Sequence, residues 1–386
     1  MDLYIGPGQF AMHNLSMPER KRPESEQEDL LLQATPYETR DGRPYLRGAP
    51  YFLPCDLPEL HRQSLQTMLF ETIFSGPTCT SFQLNRPKQV LEVGCGSGFW
   101  SSTCHDHFRS HGHDDVSFTG IDLVSLAPEL QKQGMRWNFV QHDLRKFPWP
   151  FPDGGFDYVM VKDISLAITV DIWQRFLDEC VRVLGEDGTI EVWESDHILR
   201  CLTPQDQAPL ADENTRTYPI TSTTTFGSAQ NRFIQDANAW IEKACEHHRL
   251  PSRPCGKVAE MLSQETDSLH KAASRRVAVP LNVIPWENAS SRRPSATSHK
   301  SKGKVRAADG SLDPNQAAIR HTALMTVIQK VESLEPVLKE GSGKNKEEWA
   351  SWWAGMMSSL LEQNGASSGE CLELGTWWAT KRRRVQ

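Results

Sequence analysis

No run of about 18 apolar residues occurs in the 386-residue sequence, so no membrane-spanning helix is expected. The first residues also lack an apolar stretch of signal-peptide length. Nine cysteines are present, none in a CxxC pair, and the number is odd. That excludes a disulfide framework or a zinc ribbon and suits a reduced compartment. A soluble protein, cytoplasmic and/or nuclear, is therefore expected. Excess positive charge is missing too: 42 Lys+Arg stand against 49 Asp+Glu, a net charge of −7. An acidic total argues against the whole chain binding nucleic acid, though a local basic patch still can. No internal repeat is visible. Apolar residues are scarce at 38%. Twelve Trp and fifteen Phe can still build a core, so the shortfall points to length that is not packed. At about 150 residues per domain the length allows two or three domains.

What is present is a succession of short apolar runs and helical stripes. Residues 1–44, polar and rich in Pro, Glu and Arg, read as a flexible N-terminal arm with a short helix near 26–33. Leu60, Leu65, Met68, Leu69 and Phe74 predict an amphipathic helix over 57–74, stopped by Gly76-Pro77. Strands are predicted at 88–93, 116–123, 137–142 and 156–162, with a helix at 99–110. A helix over 172–184 buries Trp173, Phe176, Leu177, Cys180, Val181 and Leu184 on one stripe. A tight turn at 185–188 leads to a fifth strand at 189–194. Alternation of this kind means βαβ units: a mostly parallel sheet with helices on both faces. Beyond Leu202 helices are predicted at 231–249, 257–276, 315–338 and 347–363. A Pro-containing edge or end strand is expected at 277–285, and a last strand at 372–382. Residues 288–310, Ser-rich with Arg292, Arg293, Lys300, Lys302, Lys304 and Arg306, read as a basic, low-complexity disordered insertion.

The stretch that carries chemistry is VLEVGCGSG, residues 90–98. It ends a strand and opens a helix. Gly94, Gly96 and Gly98 let the backbone turn sharply and approach a ligand, and the helix start offers free N–H groups. The plainer reading is an ordinary strand-to-helix turn. Three acids surround it. Asp122 closes the second strand, where a carboxylate can hold both hydroxyls of a ribose. Asp143 closes the third and can accept from an exocyclic adenine amine. Glu92 sits beneath the turn and can brace it or receive an ammonium. The loop contains no Lys or Arg clamp, which favours a non-phosphorylated nucleoside ligand over a pyrophosphate.

VLEVGCGSG, GIDL, QHDL and FPDGGFDYV, followed by a helix ending RVLGEDG and a strand, resemble class I S-adenosylmethionine-dependent methyltransferases. The resemblance implies an α/β, Rossmann-like, seven-stranded sheet, mostly parallel with strand seven antiparallel, plus extra helices. LELGTWWATKR at 372–382 would be strand seven, and 277–284 would lie near strand six. It implies S-adenosylmethionine as cofactor, held by Glu92, Gly94, Gly96, Gly98, Asp122 and Asp143. A narrower resemblance is to the fungal LaeA-like group, which includes regulators of secondary metabolism. YFLPCD at 51–56 with Glu59 and Arg62 carries it, echoed by Ile284-Pro285-Trp286. The chain then reads as one methyltransferase domain over 45–386 with its core at 86–200. The expected acceptor is a small molecule or a protein, with a regulatory protein as possible partner.

Methyl transfer asks mainly for positioning and desolvation, and for a base if the acceptor must lose a proton. The face above strands four and five offers Lys162, Asp163, Glu194, Asp196 and His197. Asp163 or His197 is the expected base. No N-P-P-Y element or Pro-Cys pair follows strand four, which argues against methylating adenine N6 or cytosine C5. A nicotinamide enzyme is the rival, but position 99 is Phe where G-x-G-x-x-G needs Gly. Cys104, His107 and His111 have a spacing that zinc could use; ordinary helix residues are the plainer reading, and no metal is expected. The basic segments, including 381–384, suit a nuclear-import signal or simply solvated chain. The Trp352-Trp353 and Trp377-Trp378 pairs suit packing better than base stacking.

Overall fold

The computed structural model describes residues 37–48, 51–82, 86–204, 211–290 and 312–383. Most of the expected arm (1–36), the bulk of the basic insertion (291–311) and the last three residues lie outside these.

The described chain opens with a hairpin where an arm was expected: β1 (Tyr37–Arg40) and β2 (Arg43–Leu46). They turn at Asp41-Gly42, with φ of +46° and +81°. An Asp-Gly pair tolerates the two left-handed residues that such a tight turn demands. The hairpin is fastened because Arg43 grips Asp56 with two hydrogen bonds, 2.6 and 2.8 Å. Tyr45 is buried and its hydroxyl donates to the Ser333 carbonyl. Asp56 also caps α1 (Leu57–Phe74), accepting from the Glu59 amide, and Ser75 in the left-handed region ends that helix.

The alternating half follows as expected: β3 (Gln89–Val93), α2 (Phe99–Ser110), β4 (Ser117–Asp122), β5 (Arg136–Gln141), β6 (Phe156–Lys162), α3 (Trp173–Val183) and β7 (Leu184–Ser195). The turn predicted at 185–188 is an irregularity inside β7. Phe156 faces Leu184 while Tyr158 faces Thr189, so the surplus residues bulge from the ladder. After β7 come β8 (Arg200–Leu202), β9 (Tyr218–Pro219), β10 (Phe226–Ser228), α4 (Arg232–His247), α5 (Pro254–Gln264) and β11 (Leu269–Pro280). Last are α6 (Pro285–Ser290), α7 (Pro314–Ser333), α8 (Glu335–Ser342), α9 (Lys346–Met357) and β12 (Glu370–Lys381).

The seven long strands lie in the order β5-β4-β3-β6-β7-β12-β11, and the short β8, β9 and β10 extend the sheet locally. The first five are parallel, and β12 runs antiparallel to both β7 and β11. Strands β3 and β6 are apolar on both faces, as strands covered on both sides must be. Tyr158 and Met160 join the layer of Phe70, Trp100 and Trp193; Leu91, Val159 and Val161 join that of Phe176, Leu177 and Trp377. The Trp pairs go into packing: Trp352 contacts Trp240, Trp349 and Phe233, and Trp377 is buried.

Two helix assignments change. The helix expected over 257–276 ends at Gln264, and 269–276 is strand. Ala, Lys and Arg favour helix locally, but ten register pairs with β12 decide the matter, because ladder hydrogen bonds and packing override a propensity of tenths of a kcal/mol. The helix expected over 315–338 breaks at Leu334, next to the Pro336 turn.

Residues 291–311 leave from α6 and return at α7, and those helices are clamped together. Arg320 donates to both oxygens of Glu287, at 2.8 and 2.6 Å, and both side chains are buried. Replacing 291–311 by a short flexible linker should therefore shift Tm by less than about 2 °C, read by scanning calorimetry. A fall several times larger would mean that the segment packs on the domain.

Candidate active site

Parallel strands send their C-terminal ends to one edge, and the chain order reverses beside β3: β4 and β5 lie on one side of it, β6 on the other. A crevice opens at such a switch point. Here it is a cleft of about 1080 Å³, open mouth included, beside α1 and α7.

Gly94, Gly96, Asp122, Asp143, Asp163 and His197 all line this cleft, so residues separated by a hundred positions share one site. The glycine turn has φ of +68°, +50° and +66° at Gly94, Gly96 and Gly98. A Cβ at Gly94 would sit 2.9 Å from Ile164 Cδ1, and one at Gly96 3.2 Å from Gln63 Oε1. The turn therefore needs glycine for conformation and for space. Gly98 lies behind the cleft wall as the N-cap of α2.

Asp122 holds the turn. Its Oδ2 accepts from Gly96 N at 2.8 Å and its Oδ1 from Leu123 N at 2.7 Å. Burial raises its carboxyl above the ordinary value while those amides oppose the rise. Each oxygen keeps a further lone pair for a hydroxyl donor. Asp143 accepts two side-chain bonds from Arg145, at 2.8 and 2.9 Å, and that pair outweighs the effect of burial and lowers its pKa.

Glu92 is buried below the turn rather than in the cleft wall. Ser101 Oγ donates to its Oε2 at 2.6 Å, tying β3 to the first turn of α2. Burial pushes its carboxyl up from 4.5 to about 7, against the pull of Ser101. A carboxyl raised in the folded state contributes stability that is complete below pH 4.5 and lost as pH rises through 7. The Tm of wild type relative to Glu92→Gln should accordingly fall by on the order of 5 °C between pH 5 and pH 8. A pH-independent difference would show that Glu92 does not titrate in this range.

Of the five acceptor-side candidates, Lys162, Asp163 and His197 line the cleft and the other two stand behind it. Glu194 is buried and accepts from the amides of Ile164 and Ser165 and from Ser165 Oγ, shaping the loop after β6. Asp196 accepts from Cys255 N. Asp163 has φ +51°, with its two oxygens taken by Gln66 Nε2 (2.6 Å) and Lys162 Nζ (3.2 Å). His197 has both ring nitrogens engaged: Nε2 with Ser165 Oγ at 3.0 Å and Nδ1 with Lys330 Nζ at 2.8 Å. Burial, helped by Lys330 and Arg62, holds its pKa well below the ordinary value, so the imidazole is neutral.

Other cleft residues escaped the motif search: Gln63, Gln66 and Lys330. Gln66 Oε1 accepts from Arg62, while its Nε2 donates to Asp163 and Ser195. Lys330 had one sequence signal, a cation set in the apolar stripe of Ala323, Val327 and Leu334. Cys104, His107 and His111 do not converge. Cys104 is buried in the core while His107 and His111 stack near the surface. At the C-terminus Lys381 donates to the carbonyls of Val181 and Leu184, and Arg383 pairs with Asp187. These basic residues fasten β12; Arg384 lies outside the described residues.

Residues 90–188 match the family model described as a methyltransferase domain. The secondary metabolism regulator LAE1 of Cochliobolus heterostrophus is 27% identical over 167 residues, 42% of this chain and 52% of that protein. A fatty-acid O-methyltransferase of Mycolicibacterium smegmatis is 37% identical over 107 residues, 26% of this chain and 35% of that one. The protein-methionine methyltransferase laeA of Emericella nidulans is 24% identical over 131 residues, 32% of each chain. The chain thus spans about half or less of the length of these relatives. Among solved structures, a Haemonchus contortus phosphoethanolamine N-methyltransferase aligns with a TM-score of 0.40 at 11% identity, over 88% of this chain and 62% of that one.

Proposed function

We propose that this chain, built around a class I S-adenosylmethionine-dependent methyltransferase domain like that of the LaeA-like group, transfers a methyl group to a small-molecule or protein acceptor in fungal secondary metabolism. One observation carries the reading: the strained glycine turn, Asp122 and Asp143 meet in one cleft at the switch point of the sheet.

The donor set fits the cofactor. Asp122 has lone pairs left for the ribose hydroxyls, and Asp143, fixed by Arg145, would accept the adenine amine. Gly94 and Gly96 leave the cleft wall bare of side chains, and Glu92 braces the turn from below. The bound cofactor supplies an activated methyl on sulfur with a neutral leaving group. The chain's own task is then to place the acceptor, exclude water and manage a proton. Leu53, Leu60, Leu166 and Ile168 give the cleft apolar walls, while Asp163, His197 and Lys330 bring the polar groups.

Titration calorimetry with S-adenosylmethionine, S-adenosylhomocysteine and NADH tests this. The first two should bind and NADH should not; the reverse pattern ends the proposal. A second reading is a regulator that uses the fold to engage partners without turnover, favoured by the regulator names of the relatives. Radiolabelled methyl transfer into a host-cell extract separates the two. A labelled product selects the enzyme, and cofactor binding without label selects the regulator.

A further inference from the structure

Lys330 is buried in the wall of the cleft that Gly94, Gly96 and Asp122 also line. Among the described residues no carboxylate comes within ion-pair reach of its Nζ. Its neighbours are His197 Nδ1 at 2.8 Å and Ser195 Oγ at 3.4 Å. An ammonium buried with no carboxylate in direct contact is costly, so burial makes this amine easier to deprotonate than an ordinary lysine.

The hydrogen bonds continue from there in a single file. His197 Nε2 meets Ser165 Oγ at 3.0 Å, and Ser165 Oγ meets Glu194 Oε2 at 2.8 Å. Glu194 Oε1 already takes two backbone amides, so Oε2 is the end of the file. Each member can both give and receive a hydrogen. With Glu194 ionised, Lys330 donates to Nδ1, Nε2–H donates to Ser165, and Ser165 donates to Glu194. That arrangement leaves a lone pair on Lys330 Nζ unspent. Shifting every hydrogen one place along carries a proton from Lys330 to Glu194.

We propose that Lys330 takes the proton of the methyl acceptor, that His197 and Ser165 pass it to Glu194, and that the acceptor is a weakly acidic hydroxyl, a phenol or an enol. This rests on the methyltransferase reading above. In the step, the acceptor's O–H bond breaks and its proton goes to Nζ. The oxygen forms a bond to the methyl carbon, and the carbon–sulfur bond breaks with its electron pair left on sulfur. Charge balances: the sulfonium's positive charge disappears as the Lys330–Glu194 file gains one proton. Lys330 is the catalytic residue; His197, Ser165 and Glu194 are positioning and relay residues.

The surroundings agree. Facing Lys330 are Glu59 and Arg62 of α1, Asp163 after β6, Glu194 of β7, His197, and Cys245 of α4. Arg62 is paired with Glu59, and Asp163 with Lys162. Burial, with Arg62, lowers the pKa of Lys330 to about 8, while burial and Asp163 raise that of Glu194. A base in that range suits a phenol of ordinary pKa about 10. A carboxylic acid is ionised without help, and an ammonium acceptor would meet Arg62, Lys162 and Lys330.

Calorimetry of the full chain at about pH 8, in buffers of different ionisation enthalpy, counts the protons released per ligand bound. S-adenosylmethionine should release up to about half a proton more from the wild type than from Lys330→Met, because its sulfonium disfavours a proton on the file. Neutral S-adenosylhomocysteine should show no such difference between the two proteins. Ser165→Ala, which cuts the file and spares Lys330, should lower the excess and serves if Lys330→Met does not fold. An excess unchanged in these variants, with both ligands bound, overturns the relay and leaves the methyltransferase reading standing. If neither ligand binds, both fall. Labelled product from a host-cell extract should be stable to alkali and non-basic, as an ether is. Methanol released by alkali, a labelled amine, or no label overturns the acceptor class.

Discussion

Replacing Asp122 by alanine should weaken S-adenosylmethionine binding by on the order of 100-fold in calorimetry. Two charge-assisted hydrogen bonds to a ligand diol, at about 1.5–3 kcal/mol each, would disappear. About 2.7 kcal/mol already amounts to a factor of 100. A second loss points the same way. Asp122 Oδ2 accepts the Gly96 amide at 2.8 Å, so the alanine also frees the middle of a turn held at three positive φ values. Asp122→Asn keeps shape and an acceptor oxygen but no charge, and should fall between the two. An alanine variant that binds within about threefold of wild type would remove Asp122 from the cofactor site.

Arg62→Met should destabilise the fold by about 3–5 kcal/mol, the usual result of stranding one partner of a buried ion pair. Arg62 and Glu59 are 2% and 0% exposed, joined at 2.8 and 2.7 Å within one turn of α1. Among the described residues, the substitution leaves the Glu59 carboxylate with only Gln63 Nε2 (2.9 Å) as a side-chain donor. It also releases Gln66, whose amide reaches Asp163 in the cleft wall and the buried Ser195. Tm should drop by on the order of 10 °C. Adding Glu59→Gln should restore much of it, since the stranded charge is the larger part of the cost. A single variant within about 1 kcal/mol of wild type would show that water reaches Glu59 and solvates it.

Much of the fold was legible because its signals are local. VLEV, FTGID and FDYVMV read as strands since apolar residues on both faces of a covered strand need no partner to be recognised. That the glycine turn, Asp122 and Asp143 share one cleft was legible because each closes or follows a strand, and parallel strands all end at one edge. The helix assigned to 269–276 was a misreading of Ala-, Lys- and Arg-rich sequence whose conformation is dictated by β12, a hundred residues later. The hairpin at 37–46 was written in Asp41-Gly42, but its docking depends on Arg43 meeting Asp56 and Tyr45 meeting α7, which no local pattern announces.

By itself the sequence determined the βαβ order, the turn that only glycines can make and the acids at the strand ends, all set by short-range sterics and hydrophobic pattern. Tertiary structure alone decided what closes the other side of the cleft. Arg62 and Gln66 on α1 and Lys330 on α7 are far apart in the chain, and each looks like an ordinary helix residue. They become a site because burying these helices against one face of the sheet brings their polar groups onto the strand ends, where Gln66 reaches Asp163 and Ser195 and Lys330 reaches His197. The apolar scarcity of the whole chain reads differently in that light. Part of it is polar sequence outside the described residues, and part is a set of charged and hydrogen-bonding groups that the core encloses around the cleft.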